Sequence, residues 1–189
     1  MPNSIVIFDA CVLYPTTLRD YLMFLSDTDL FLARWTARIQ DEWINNLLED
    51  RPDLSRERLE RTRQKMEEHV DDCLVEGYEH LIDTLKLPDM KDRHVLAAAI
   101  HTDASFIITF NLRDFPASIL DPLAIRAITP DNFAMRLEAS NPNEVIHAAK
   151  RQRMNMNKPP KSVNEYLNSL EKQQLPKTVA FLRQHQEDI

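Results

Sequence analysis

Glycine is nearly absent: Gly77 is the only one in 189 residues, against eleven prolines. Phosphate loops of the Walker type and dinucleotide fingerprints need glycines at fixed spacing. Kinases, P-loop ATPases and nicotinamide dehydrogenases of the doubly wound type are therefore excluded. Cysteine is scarce too. Cys11 and Cys73 stand apart, outside any CxxC pair, which excludes a disulfide scaffold and a thiolate zinc site and points to the reducing cytoplasm. Apolar runs such as Val95 to Ile100 fall far short of the ~20 residues that span a bilayer. The start, Met1-Pro2-Asn3-Ser4, lacks the basic region and apolar core of a secretory leader.

Basic charge is also in deficit, 23 Lys and Arg against 30 Asp and Glu, for a formal charge of −7. Phosphate neutralisation by Lys and Arg supplies most non-specific affinity for nucleic acid, so this balance alone does not suggest a nucleic-acid binder. The charge is uneven: residues 138–189 hold eight basic and six acidic side chains, leaving the acidic excess in residues 1–137. With 43% hydrophobic and 28% charged residues the chain has a globular composition, and its length suffices for a core without crosslinks.

What is present alternates between strand and helix patterns. Ser4-Ile5-Val6-Ile7-Phe8 is an apolar run that ends at Asp9, the signature of a buried parallel strand. Leu18, Leu22 and Leu25 predict a helix, and Leu30 to Trp35 a second strand. Thr36 caps a helix in which Ile39, Trp43 and Leu47 share a face, and Ser55 opens another with Leu59, Met66, Val70 and Cys73 on one stripe. A helix begins at Asp92 through Val95, Leu96, Ala99 and Ile100; Ser105 to Phe110 is the third strand and Ile125 to Ile128 a fourth. This order predicts an α/β fold with a central parallel sheet covered on both faces. A boundary near Ser140-Asn141-Pro142 separates residues 1–137 from a helical extension, 138–189, with helices at Glu144–Gln152, Val163–Leu170 and Thr178–Leu182.

In such sheets ligands bind at the carboxyl ends of the strands, and acids gather there. Asp9 ends the first strand, Asp114 follows the third, Asp92 opens the helix leading into it, and Glu42 lies in the first turns after the second. Each has an ordinary alternative: Asp9 caps a turn, Asp92 complements a helix dipole, Glu42 is a solvated helix residue, and Asp114 makes an Asx-turn. Four carboxylates on one edge repel one another unless protonated or neutralised. Oxygen donors without His or Cys suit a hard ion, Mg²⁺ or Mn²⁺, which can activate water against a phosphodiester.

Ile5-Val6-Ile7-Phe8-Asp9-Ala10-Cys11-Val12-Leu13 with Tyr14-Pro15 resembles the opening of PIN-domain proteins. Asp92-Arg93-His94-Val95-Leu96-Ala97-Ala98-Ala99 and Ile107-Ile108-Thr109-Phe110-Asn111-Leu112-Arg113-Asp114-Phe115-Pro116 are similar to their second half. The likeness covers about residues 3–135, and the tail resembles an extension found in one bacterial branch. The resemblance implies a PIN-like α/β/α sandwich and a metal-dependent ribonuclease, with Asp9, Glu42, Asp92 and Asp114 as the metal-binding and catalytic set. Glu42 is chosen over its neighbours Asp41 and Glu49 by its turn position. Asp89 is expected as a supporting acid, and Thr109 and Asn111 as groups orienting water or the ion. Many relatives are VapC-like toxins of bacterial toxin–antitoxin pairs, held inactive by a small antitoxin protein.

RNA is then the expected substrate, with Lys150, Arg151 and Arg153 as candidate backbone contacts; the alternative for these three is a solvated helix face. The tail's apolar positions pack on the body or on a second subunit in a homodimer. Two rivals remain at this level. A haloacid-dehalogenase-like hydrolase also places an aspartate after its first strand, but it wants a glycine turn where this chain has Cys11-Val12-Leu13-Tyr14. The other is a catalytically inactive PIN-like module that binds protein or RNA. The histidines, His94 and His101 among them, read as helix-surface or core residues, and Cys11 as a small buried hydrophobe.

Overall fold

The computed structural model describes residues 4–189. The absence of a leader, read at Met1, Pro2 and Asn3, lies outside the described residues. Strand β1 (Ser4–Phe8) runs into a single helical turn, α1 (Ala10–Leu13), and then α2 (Thr16–Ser26). Strand β2 (Phe31–Arg34) leads to α3 (Ala37–Asp50), α4 (Arg56–His69) and a short α5 (Glu79–Ile82). Next come α6 (Arg93–His101), β3 (Phe106–Ile108), α7 (Ala117–Leu120) and β4 (Arg126–Ile128). The chain ends with α8 (Pro130–Ser140), α9 (Pro142–Asn155), α10 (Val163–Glu171) and α11 (Pro176–Gln184). Among the described residues no helix is long and apolar enough to cross a membrane.

The sheet is parallel throughout, in the order β2-β1-β3-β4. Val6, Ile7 and Phe8 of the central strand are all fully buried. Consecutive residues of a strand point to opposite faces, so burial of all three requires helices on both sides. That is the α/β/α arrangement expected from the apolar run. Strand order reverses between β1 and β3, and at such a switch point the connections leaving the carboxyl ends diverge, which is where open α/β sheets bind ligands.

Two helix starts follow the capping residues read in the sequence. Thr36 Oγ1 accepts from Ile39 N at 3.1 Å, and Ser55 Oγ from Arg58 N at 3.3 Å. The stripe extended to Val70 and Cys73 is too long, because α4 stops at His69 and Val70 turns to extended backbone. Residues 73–75 instead lie against the carboxyl end of β2. Trp35 N donates to Cys73 O at 2.9 Å, and Val75 N to Trp35 O at 2.8 Å. The shortage of glycine is met by other residues: Asp29, Asp72, Asp103, Ala124 and Gln174 take left-handed φ angles alongside Gly77, aspartate being among the side chains that tolerate that region best.

The C-terminal helices pack on the body. Gln152 of α9, almost fully buried, donates to Thr17 O at 2.8 Å and accepts from Tyr166 Oη at 2.9 Å, so one amide joins α9 to α2 and α10. Asp131 of α8 accepts from Lys177 N, Thr178 N and Thr178 Oγ1, which satisfies the start of α11.

Candidate active site

Asp9 follows β1 at the point where strand order reverses. Its backbone remains extended and its side chain caps α1: Oδ1 accepts from Ala10 N at 2.7 Å. Oδ2 accepts from Thr109 Oγ1 at 2.6 Å and from Cys11 Sγ at 3.2 Å. Thr109 follows β3, next to β1 in the sheet, so sheet register itself brings the hydroxyl to the carboxylate. Asp9 is 4% exposed. Burial pushes its carboxyl above the ordinary range, and the bonds from Thr109, Cys11 and Ala10 pull back in part.

Cys11 is more than a small apolar filler. Turning from strand to helix at Asp9 brings its sulfur back over the carboxylate, where Phe110 N donates to Sγ at 3.3 Å and Thr109 Oγ1 lies at 3.4 Å. Burial, then the adjacent Asp9 charge, pushes the thiol up to about 12. It is therefore a neutral donor to Asp9 at physiological pH.

Asp92 closes a 3-10 turn, Met90–Asp92, just ahead of α6. Asp89 caps that turn, accepting from Lys91 N at 2.8 Å. The Asp92 carboxyl is pushed up to about 7, first by burial and then by the charges of Asp9, Asp89, Asp114 and Glu42. These acids are separated by up to 105 positions in sequence, yet one carboxyl responds to all of them. Their charges are therefore felt at a single carboxyl at the carboxyl end of the sheet.

Asp114 is carried by a turn in which its N–H donates to Asn111 O at 3.0 Å. Asn111 N in turn donates to Thr109 Oγ1 at 2.9 Å, while the Asn111 side chain is exposed. Asn111 thus steadies the hydroxyl that holds Asp9 through its backbone. Glu42, half-exposed on α3, has His94 Nε2 at 2.9 Å and Arg38 Nε at 3.5 Å from the same Oε1. Sequence pattern alone does not mark His94 as a residue of the site. The neighbour of Glu42, Asp41, pairs instead with Arg63, at 2.9 Å.

Among the described residues, no three His, Cys, Asp or Glu side chains already stand as a set of metal ligands. The donor chemistry nevertheless fits a hard cation. Every donor is a carboxylate oxygen, and the charge of each neighbour raises Asp92, the repulsion a divalent ion relieves. A cavity of about 560 Å³ lies at the other edge of the sheet, near Ser4, Phe31 and Phe106, where the strands begin.

Lys150, Arg151 and Arg153 are each engaged elsewhere. Lys150 Nζ donates to Asp188 O at 2.9 Å, and Arg153 to Lys161 O and Ile189 O, both at 3.1 Å. Arg151 pairs with Asp27 at 2.7 Å and lies over the Phe24 ring. Asp27 caps the end of α2, so Arg151 is tied to the connection between α2 and β2.

A family model described as PIN domain matches residues 5–113, and one described as VapC50 C-terminal domain matches residues 130–184. A 59-residue stretch is 46% identical to the protein named "Putative ribonuclease VapC50" of Mycobacterium tuberculosis (strain ATCC 25618 / H37Rv). That stretch covers 31% of this chain and 34% of the relative, so about a third of the relative's length is matched. No solved structure matches.

Proposed function

The chain belongs to the PIN-domain family, and from that premise we propose that it is a Mg²⁺- or Mn²⁺-dependent endoribonuclease. The observation that carries this reading is the buried Asp9 carboxylate, held by Thr109, Cys11 and Ala10 where β1 meets β3. Beside it burial, and then the charges of Asp9, Asp89, Asp114 and Glu42, push Asp92 up to about 7. A crevice that gathers like charges at such cost to ionisation is suited to a divalent cation. Asp9, Asp92, Asp114 and Glu42 would hold it. When bound, the ion would acidify a water and offset charge developing on a phosphodiester.

The chain's own residues have separable parts in this scheme. Thr109, Cys11 and Ala10 fix Asp9 in one orientation, so its oxygens need no reordering when a cation binds. Asn111 holds the Thr109 hydroxyl from behind. Asp89 shapes the turn that presents Asp92 and adds negative charge beside it. For Lys150, Arg151 or Arg153 to contact RNA, each would use the N–H donors left over from the partner it has here.

The match to the VapC50 relative supports a further part of the proposal, that this ribonuclease is the toxin of a toxin–antitoxin pair and is silenced by a small protein partner. Both thiols are free, in keeping with action in the reducing cytoplasm.

The test is cleavage of structured RNA with Mg²⁺ or Mn²⁺, with and without EDTA, beside Asp9→Asn. Metal-dependent cleavage that disappears in Asp9→Asn is the expected result. Cleavage that persists in the variant would place the chemistry elsewhere, and a wild type that binds no Mn²⁺ would favour a non-catalytic binding module.

A further inference from the structure

His94 sits on the second position of α6 and is 1% exposed. Neither ring nitrogen makes a well-aligned hydrogen bond among the described residues. Leaving a buried polar group unpaired is unfavourable, and an apolar side chain in this slot would avoid the penalty. Yet Nε2 stands only 2.9 Å from Glu42 Oε1, off the line of a ring N–H bond. Nδ1 has no neighbour to accept a proton from it. The tautomer with hydrogen on Nε2 leaves no orphan donor at Nδ1 and turns the one N–H toward the Glu42 carboxylate.

We propose that His94 is a positioning residue that holds Glu42 in the acidic crevice by donating from Nε2 to Oε1. Two further observations support this role. Arg38 approaches the same Oε1 at 3.5 Å, and among the described residues no group is paired with Oε2. Both contacts therefore draw on one oxygen and leave the other for a cation. Glu42 is also half-exposed on a long side chain, whereas Asp9 is short, buried and held by three donors. Of these two carboxylates, Glu42 gains more from an external restraint. The terminal torsion of a glutamate is soft, so a rotation of the carboxylate aligns the bond as a cation draws Glu42 inward.

The inference rests on the metal-nuclease reading, and its test is arranged so that the two can fail separately. The variants are His94→Gln, which keeps an N–H donor at the reach of Nε2, His94→Asn, which places one near Nδ1, and His94→Leu, which has none. In titrations with Mn²⁺ alone, His94→Leu and His94→Asn are expected to lose affinity by about 10-fold, with His94→Gln close to wild type. RNA cleavage should show a lowered kcat in His94→Leu and His94→Asn, with KM little changed. His94→Leu combined with Glu42→Gln should bind Mn²⁺ no more weakly than Glu42→Gln alone. In the metal-free protein, ¹⁵N spectra should show the His94 proton on Nε2, and Glu42→Gln should shift that signal.

Wild-type Mn²⁺ affinity in His94→Leu would overturn the inference while leaving the nuclease reading intact. A proton on Nδ1 with none on Nε2, or a signal indifferent to Glu42→Gln, would overturn it even if the wild type bound no metal. Failure of the wild type to bind Mn²⁺ would overturn the nuclease reading. Should His94→Leu fail to fold, comparing His94→Asn with His94→Gln decides the same question.

Discussion

Thr109 donates its hydroxyl to Asp9 Oδ2 across 2.6 Å, and the two residues are 100 positions apart in the chain. The bond exists because β1 and β3 are neighbours in register, with Phe8 beside Ile108 and each site residue one step beyond. Sheet pairing thus fixes the Asp9 carboxylate against the end of the neighbouring strand. Asn111, Cys11 and Phe110 then add bonds around it.

Thr109→Val removes that donor at nearly constant volume. Native stability at pH 7 should fall by about 1–3 kcal/mol, the range for a buried group that loses its partner. Mn²⁺ affinity should fall by roughly 10-fold, as when a supporting hydrogen bond to a metal ligand is cut. Thr109→Ser should retain most of both. Urea denaturation and calorimetric titration measure the two effects, and a Thr109→Val protein unchanged in both would show that the sheet-built clamp does not hold Asp9.

Asp92 gives the metal-free protein a pH dependence. Its carboxyl is raised from 3.8 to about 7 in the native state, so the folded chain retains a proton that the unfolded chain has released. Stability contributed by this group is therefore highest at low pH and declines as pH rises from about 4 to about 7. In EDTA, Asp92→Asn should flatten that part of the stability curve. Mn²⁺ should raise the melting temperature more at pH 8 than at pH 5.5, because at the lower pH it competes with the proton. Equal stabilisation at both would count against ion binding at Asp92.

Cys11 should resist alkylation. With its thiol pushed up to about 12 and bonded to Asp9, the reactive thiolate is nearly absent at pH 8. Cys73, pushed up to about 11 by burial, should behave in the same way. Mass spectrometry after brief iodoacetamide treatment should find both unmodified in the native protein and both labelled in urea. Rapid native labelling of Cys11 would show that its bonds to Asp9 and Thr109 do not persist in solution.

Gln152→Leu tests how firmly the extension is fastened. The change leaves Thr17 O and Tyr166 Oη without their partner inside the packed interface. A loss of about 1–3 kcal/mol is expected, read as a lower urea midpoint. If the midpoint holds while the α9–α10 region alone gains proteolytic sensitivity, the extension unfolds independently of the sheet.

Much of this layout is legible in the sequence. An apolar run ending in aspartate places Asp9, the capping chemistry of Thr36 and Ser55 places two helices, and the strand–helix order gives the parallel sheet. Other parts lie beyond single-face periodicity. One stripe of α6 makes His94 look like an ordinary helix residue, yet His94 through Ala99 are all buried. A helix apolar all round is a core helix, and that signal in Val95-Leu96-Ala97-Ala98-Ala99 implies a buried imidazole. The short α1, α5 and α7 offer too few residues for any period. Helix α8 has little periodicity of its own, and its signal is instead Thr129-Pro130, a cap followed by a proline at the first helical position. Cys11 depends on a chain reversal that local pattern does not encode.

The segment at Cys73–Val75 also bears on how copies of the protein meet. By occupying the carboxyl end of the outer rim of β2, it leaves a free template of only four residues, and β4 at the opposite rim has three. Rims this short give an incoming strand few ladder bonds. Self-association through a continuous intermolecular sheet is thereby disfavoured.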